Sequence, residues 1–212
     1  MGKYIDKLLS ISCDSFVQEQ ANLTSELRGI AGNLAQELEA LLNKKNGFFA
    51  FESALRVFSS CSSQLSIGLD DWNSEALWRK DYNGLADGCL FFAEDIFGGQ
   101  FCIKNGVVCA FDPETAGLEE MAASIEQWAQ EILNEYNVWT GYSLAHVWQE
   151  HSGALSSELR LMPKTPFVCG GQFELDNLIA INAVSGMKSR ANLACQIVDL
   201  PDGAQIEFKI IE

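Results

Sequence analysis

Positive charge is scarce in this sequence: 14 Lys and Arg stand against 29 Asp and Glu, a net charge of −15 over 212 residues. Such a surface repels phosphate backbones and anionic headgroups, which argues against nucleic-acid and membrane binding. Histidine is nearly absent. His146 and His151 are five positions apart in a segment of helical period, so they do not share a face. No Cys or His grouping has zinc spacing. Neither a GxxxxGKS/T loop nor a GxGxxG loop is present, which leaves a phosphate-cradling loop without support. No apolar run approaches the ~20 residues of a membrane-spanning helix. The seven cysteines are odd in number, lack CxxC spacing, and several (Cys89, Cys102, Cys109) sit inside apolar runs. They read as small hydrophobes of a reducing compartment and not as a disulfide framework. The start, MGKYIDKLLSISCD, has no long apolar core and no small-residue cleavage site, so the expectation is a cytoplasmic chain without a signal peptide.

What is present is a period that changes along the chain. Leu27, Ile30, Ala31, Leu34, Leu38, Leu41 and Leu42 fall on one helical face, weakened locally by Gly29 and Gly32 and ended near Lys44, Lys45 and Gly47. The apolar FFAFESALRVF follows, then a Ser-rich loop over 59–66. Asp70-Asp71 precede Trp72, and WNSEALWRKDY reads as a short capped helix. From Cys89 the period is that of strands: CLFFA, GQFCIK and VVCAFD. Asn105-Gly106 between the last two is a tight-hairpin signal, and DPETAG from Asp112 is a turn. Leu118 to Tyr136 shows the clearest helical face, and a second helix covers 143–151 up to Gly153. Pro163 and Pro166 make RLMPKTPFVCGGQFELDNL extended and irregular, with QFEL as a short strand. SGMKSRANLACQIVDLP reads as a helix ended by Pro201, Asp202-Gly203 as a turn, and AQIEFKII as a final strand. Strands and helices cluster separately, so the expected class is α+β with a mainly antiparallel sheet and packed helices. Residues 1–46 form an N-terminal helical extension packed on the core, and 47–212 the main α+β domain.

The stretch FFAEDIFGGQFCI poses the chemical question. Adjacent Glu94 and Asp95 are the residue types of an acid–base pair or a Mg²⁺ or Ca²⁺ site. On a strand, however, neighbours point to opposite faces, so one site does not receive both. Gly98 and Gly99 then make an acidic hairpin connection the better reading. GYSLA at 141–145 comes near a nucleophile elbow but follows a helix and lacks the last glycine, so Ser143 is read as a residue near a helix start. The sequence therefore assigns no catalytic residue, no metal ligand and no cofactor.

Several stretches, in order, resemble the SUKH superfamily, specifically the group related to a fungal cell-wall-assembly regulator. They are the hairpin Phe91–Ile103, the FDPET turn at Phe111–Thr115, the Trp128 helix, TGYSLAHVWQ from Thr140, and RLMPKTPFVCGGQFELDNL. The likeness spans residues 47–212, and no Leu-Pro opening precedes the hairpin as it often does in that family. The resemblance implies an α+β fold and a non-enzymatic protein-binding role, with bacterial members acting as immunity proteins that neutralise a cognate toxin, often a nuclease. A regulatory scaffold is the alternative. An acidic protein suits a basic toxin partner, with fast and salt-sensitive association. The expected contact residues are exposed acidic turns: Asp70, Asp71, Glu94, Asp95, Asp112 and Glu114.

Overall fold

The strand-forming half of the sequence builds a six-stranded antiparallel meander whose spatial order is its chain order. A computed structural model describes residues 2–64, 66–201, 203 and 204. Asp202 of the expected turn and all but Ala204 of the expected strand at 204–211 lie outside the described residues. The sheet comprises β1 (Phe48–Ala50), β2 (Leu55–Val57), β3 (Leu90–Asp95), β4 (Gln100–Lys104), β5 (Val107–Phe111) and β6 (Leu118–Ala122). Asn105 and Gly106, with φ of 51° and 79°, make the β4–β5 turn, which requires left-handed backbone at both central positions. A second sheet pairs β7 (Leu159–Pro163) with β8 (Leu178–Asn182). Eight helices accompany the sheets among the described residues: α1 (Lys3–Ser10), α2 (Ser25–Ala31), α3 (Ala35–Lys44), α4 (Leu69–Trp72), α5 (Ile125–Asn134), α6 (Tyr136–Thr140), α7 (Tyr142–Ser152) and α8 (Ala183–Ile197). The α+β class and antiparallel sheet expected from the sequence are present.

Four local expectations are corrected. Leu118–Ala122 is a strand and not the first turn of a helix: it pairs Leu118 with Phe111 and Ala122 with Val108. The DPETAG turn folds this segment back onto the free edge of β5, and that pairing overrides its helical period. The helix starts only after Ser124, whose hydroxyl accepts the Gln127 N–H at 3.0 Å. WNSEALWRKDY is not one helix either: Trp72 ends α4, and only Arg79–Tyr82 is helical again, as a 3₁₀ turn. Asn73 leaves the helical path to pair with β3, accepting Phe91 N–H at 2.8 Å and donating to Phe91 C=O at 2.9 Å. QFEL is bend and 3₁₀ turn, while the strands lie before and after it. The 27–42 helix is split into α2 and α3 at Gly32, which has φ 55°.

One buried cluster runs from Ile5, Leu8, Leu27 and Leu38 of the N-terminal helices through Phe92 and Phe101 to Trp128 and Ala191. Carboxylates from distant elements cap the helices. Glu126 of α5 accepts the Tyr4 and Ile5 N–H groups of α1, at 2.8 and 3.2 Å, and Glu37 of α3 accepts Ile125 N–H of α5 at 2.9 Å. These anions sit where helix N-termini carry unpaired donors and positive potential. All seven cysteines are free thiols.

The two sheets are joined by charge. Glu94 on β3 is fully buried between Arg56 of β2 and Arg160 of β7, themselves 1% and 0% exposed. Arg56 Nη2 lies 2.6 Å from Glu94 Oε1, Arg160 Nε contacts the same oxygen, and Gln100 Nε2 donates to Oε2 at 3.1 Å. Burial alone would raise the Glu94 carboxyl, but Arg160 and Arg56 overcome it and hold the group below the ordinary carboxylate range. We expect Glu94→Gln to leave two buried guanidinium groups without an anion and to lower stability by about 3–5 kcal/mol in urea unfolding. A loss under about 1 kcal/mol would mean that water reaches the pair.

Candidate functional site

Local turn chemistry shapes a cleft at one end of the main sheet. In the β5–β6 turn, Asp112 Oδ1 accepts Glu114 N–H at 2.8 Å and Oδ2 accepts the Thr115 hydroxyl at 2.9 Å. Tyr82 O–H donates to Pro113 C=O at 2.8 Å and pins the turn to the core. This is the self-capped Asp turn the sequence indicated. It places Asp112 outside and directs Glu114 inward, where the residue is 3% exposed. Glu114 Oε2 accepts Val168 N–H at 2.9 Å, which ties the segment between β7 and β8 to the sheet. Its other oxygen, Oε1, has no hydrogen-bond partner among the described residues. Burial raises the Glu114 carboxyl; the Val168 amide opposes this, Asp112 reinforces it, and Arg190 and the Phe167 amide oppose it further.

The β3–β4 turn forms the adjoining wall. Asp95 Oδ1 accepts the Phe97 and Gly99 N–H groups, both at 2.8 Å. Arg190 of α8 crosses this turn, donating from Nη1 to Phe97 C=O at 2.7 Å, from Nη2 to Gly98 C=O at 3.4 Å, and from Nε to Gly186 C=O at 3.3 Å. Gly98 has φ +79°, and a Cβ there would lie 2.5 Å from Arg190 Nη2, so the turn and the arginine require glycine. Burial pushes the Asp95 carboxyl up to about 7 despite the Gly99 amide and Arg190.

The cleft between these turns measures about 520 Å³, and Arg190, the α6 residues Val138 and Trp139, and Phe167 and Phe173 complete its lining. Phe167 and Phe173 stack at 3.8 Å, and Phe97 meets both edge-on at 5.7 and 5.6 Å. The rim is apolar and open: Val138 is 73% exposed, Phe173 63% and Leu118 37%, with Val168 alongside at 43%. An acidic floor thus lies under an aromatic and aliphatic rim.

Of the six expected contact residues, Asp95, Asp112 and Glu114 converge on this cleft. Asp70 and Asp71 are exposed on α4, accept hydroxyls from Thr24 and Ser62, and do not line it. Three exposure expectations are corrected. Glu94 is buried in the arginine pair, because the β3 alternation turns it toward β7, Glu114 is buried because its backbone turn faces the 167–169 segment, and Asp95 is half-buried because its carboxylate folds back onto the Phe97 and Gly99 amides. The sequence reading missed Val138, Phe167, Phe173 and Arg190. The one available signal was Phe173, an aromatic in the polar, glycine-rich run GGQFE. Ser143 and His146 are engaged separately: Ser143 donates to Asn137 Oδ1 at 2.6 Å, and His146 Nδ1 lies 2.7 Å from Glu52. Among the described residues no three His, Cys, Asp or Glu side chains are grouped to hold a metal ion. No helix of the described residues is long and apolar enough to cross a membrane.

The sequence matches no protein-family model and no curated protein. The fold is similar to the crystal structure of Atu4351 from Agrobacterium tumefaciens, with 12% identity, a TM-score of 0.50, and coverage of 87% of this chain and 86% of that one. At this identity the likeness is one of fold alone.

Asp95 generates a pH prediction. Its carboxyl ionises at 3.8 ordinarily and at about 7 in the folded chain. The unfolded chain releases this proton first, so its contribution to stability is complete below pH 4, falls as pH rises toward 7, and is level above. Asp95→Asn retains the turn acceptor and lacks the titration. Across pH 4 to 7 the unfolding free energy of Asp95→Asn should rise relative to the original chain. A pH-independent difference in urea unfolding would show that the carboxyl ionises freely.

Proposed function

We propose that this chain is a non-enzymatic protein-binding domain that grips a basic protein partner on the cleft face. The observation that carries the reading is the open apolar rim of Val138, Phe173 and Leu118 set around an acidic floor. Large apolar side chains grouped at the surface around polar anchors are the composition of an interaction site. The net charge of −15 adds long-range attraction toward a basic protein and speeds encounter. In the narrower reading the partner is a toxin, for example a nuclease, which the chain neutralises in the cytoplasm by covering its basic surface. This is the role the SUKH resemblance implies, and it requires no chemistry from Ser143, His146 or the cysteines.

The test is capture from the native cell lysate on the immobilised full chain at low and high salt, with bound proteins identified by mass. A parallel column carries the Val138→Glu/Phe173→Ser double variant, both sites being exposed. We expect one basic protein, weakened by salt and reduced at least about tenfold by the double variant, as for loss of an interface hot spot. Co-expression should then rescue growth of cells making that protein. A varied set of proteins retained equally by both columns would overturn docking at the cleft. Capture of one basic protein that is harmless when expressed alone would replace the toxin reading with a regulatory one.

A further inference from the structure

We propose that Glu114 and the aromatic wall of the cleft receive the guanidinium group of an arginine side chain presented by the partner protein; this deepens, and rests on, the docking reading above. Glu114 is 3% exposed, and while Oε2 is committed to Val168 N–H, Oε1 is a buried acceptor without a donor. Buried carboxylate oxygens are ordinarily hydrogen-bonded, so this oxygen is able to accept an N–H presented by a bound group. Arg190, the cation already in the wall, lies near enough to oppose the rise of the Glu114 carboxyl but donates no hydrogen bond to it. Its three nitrogens donate to the carbonyls of Gly186, Phe97 and Gly98. Asp112 and Glu119 also line the cleft, so with Glu114 the carboxylates outnumber the one guanidinium and favour a second cation.

The aromatic wall selects the type of cation. Phe167 and Phe173 present a stacked pair at 3.8 Å with Phe97 edge-on, and Trp139 also lines the cleft. A planar, weakly hydrated guanidinium stacks on such faces while it donates to a carboxylate; a compact, strongly hydrated ammonium does not combine the two. A volume of about 520 Å³ admits one such side chain with room for its stem against Val138 and Leu118. Phe173, 63% exposed in the free chain, would be covered by the incoming stem.

The experiment is a titration of the full, ¹⁵N-labelled chain with N-acetyl-arginine amide, followed at the Val168 and Phe167 backbone amides. The controls are N-acetyl-citrulline amide, which has the same shape without charge, and N-acetyl-lysine amide. The expected result is saturable shifts of both amides with the arginine probe. Binding should be about tenfold weaker or worse for the citrulline probe, for the lysine probe, and for the arginine probe with Glu114→Gln. Glu114→Gln keeps an acceptor for Val168 N–H, and an unchanged spectrum away from the cleft establishes that it folds. No saturable shift, equal binding of citrulline or lysine, or undiminished binding by Glu114→Gln would each overturn the proposal. The capture column separates the two readings. If Glu114→Gln retains the partner as well as the original chain while Val138→Glu/Phe173→Ser does not, docking stands and the arginine receptor falls.

Discussion

The contact on which the rest of the molecule depends is the buried carboxylate of Glu94 between Arg56 and Arg160. Removing three charges from water is unfavourable, and only close mutual contact with a further hydrogen bond from Gln100 offsets it. The arrangement therefore tolerates little displacement of β2, β3 and β7 relative to one another. Backbone bonds reinforce it, with Leu161 N–H donating to Ile96 C=O at 2.9 Å. Once β7 is held, the segment 164–177 before β8 must return across the end of the main sheet, which brings Phe167 and Phe173 over Glu114. The helix α8 starts directly after β8, capped by Asn182, and delivers Arg190 to the β3–β4 turn. The cleft is a consequence of how the second sheet is anchored.

The acidic residues divide by task. Glu37 and Glu126 cap helices on other elements, Glu94 is an internal counter-ion, and Asp95 and Asp112 close turns. These groups are as acidic in composition as the exposed ones, yet their charge is opposed by local donors. The surface field that would steer a partner arises from the remainder. Glu114 belongs to neither group: one oxygen holds the 167–169 segment and the other has no hydrogen-bond partner among the described residues.

Much of the fold was legible because it is local. Asn105-Gly106 adopts the left-handed pair that its hairpin needs, Gly153 ends α7 at φ 88°, and the DPET turn caps itself. The apolar face of 125–134 is buried at Trp128, Ala129 and Ile132 as its period implies. Leu118–Ala122 defied its period because a free strand edge lay beside it, and a hydrogen-bonded edge outweighs a modest helical preference. Asn73 broke a helical stretch for a similar reason, through its side-chain bonds to Phe91.

The dipeptide Glu94-Asp95 marks the boundary between the two kinds of knowledge. By itself the sequence determined that the two carboxylates point to opposite sides of a strand and that a glycine turn follows, because side-chain alternation and left-handed turns are properties of neighbouring residues. Only the tertiary structure decided which of the two was buried, because that depends on Arg56 lying opposite Glu94 in the β2–β3 register and on Arg160 arriving from the second sheet. The same holds for the cleft. Its acidic turn residues were visible as turns, but their meeting with Phe167, Phe173, Val138 and Arg190 arises from contacts between segments far apart in the chain, which no local pattern encodes.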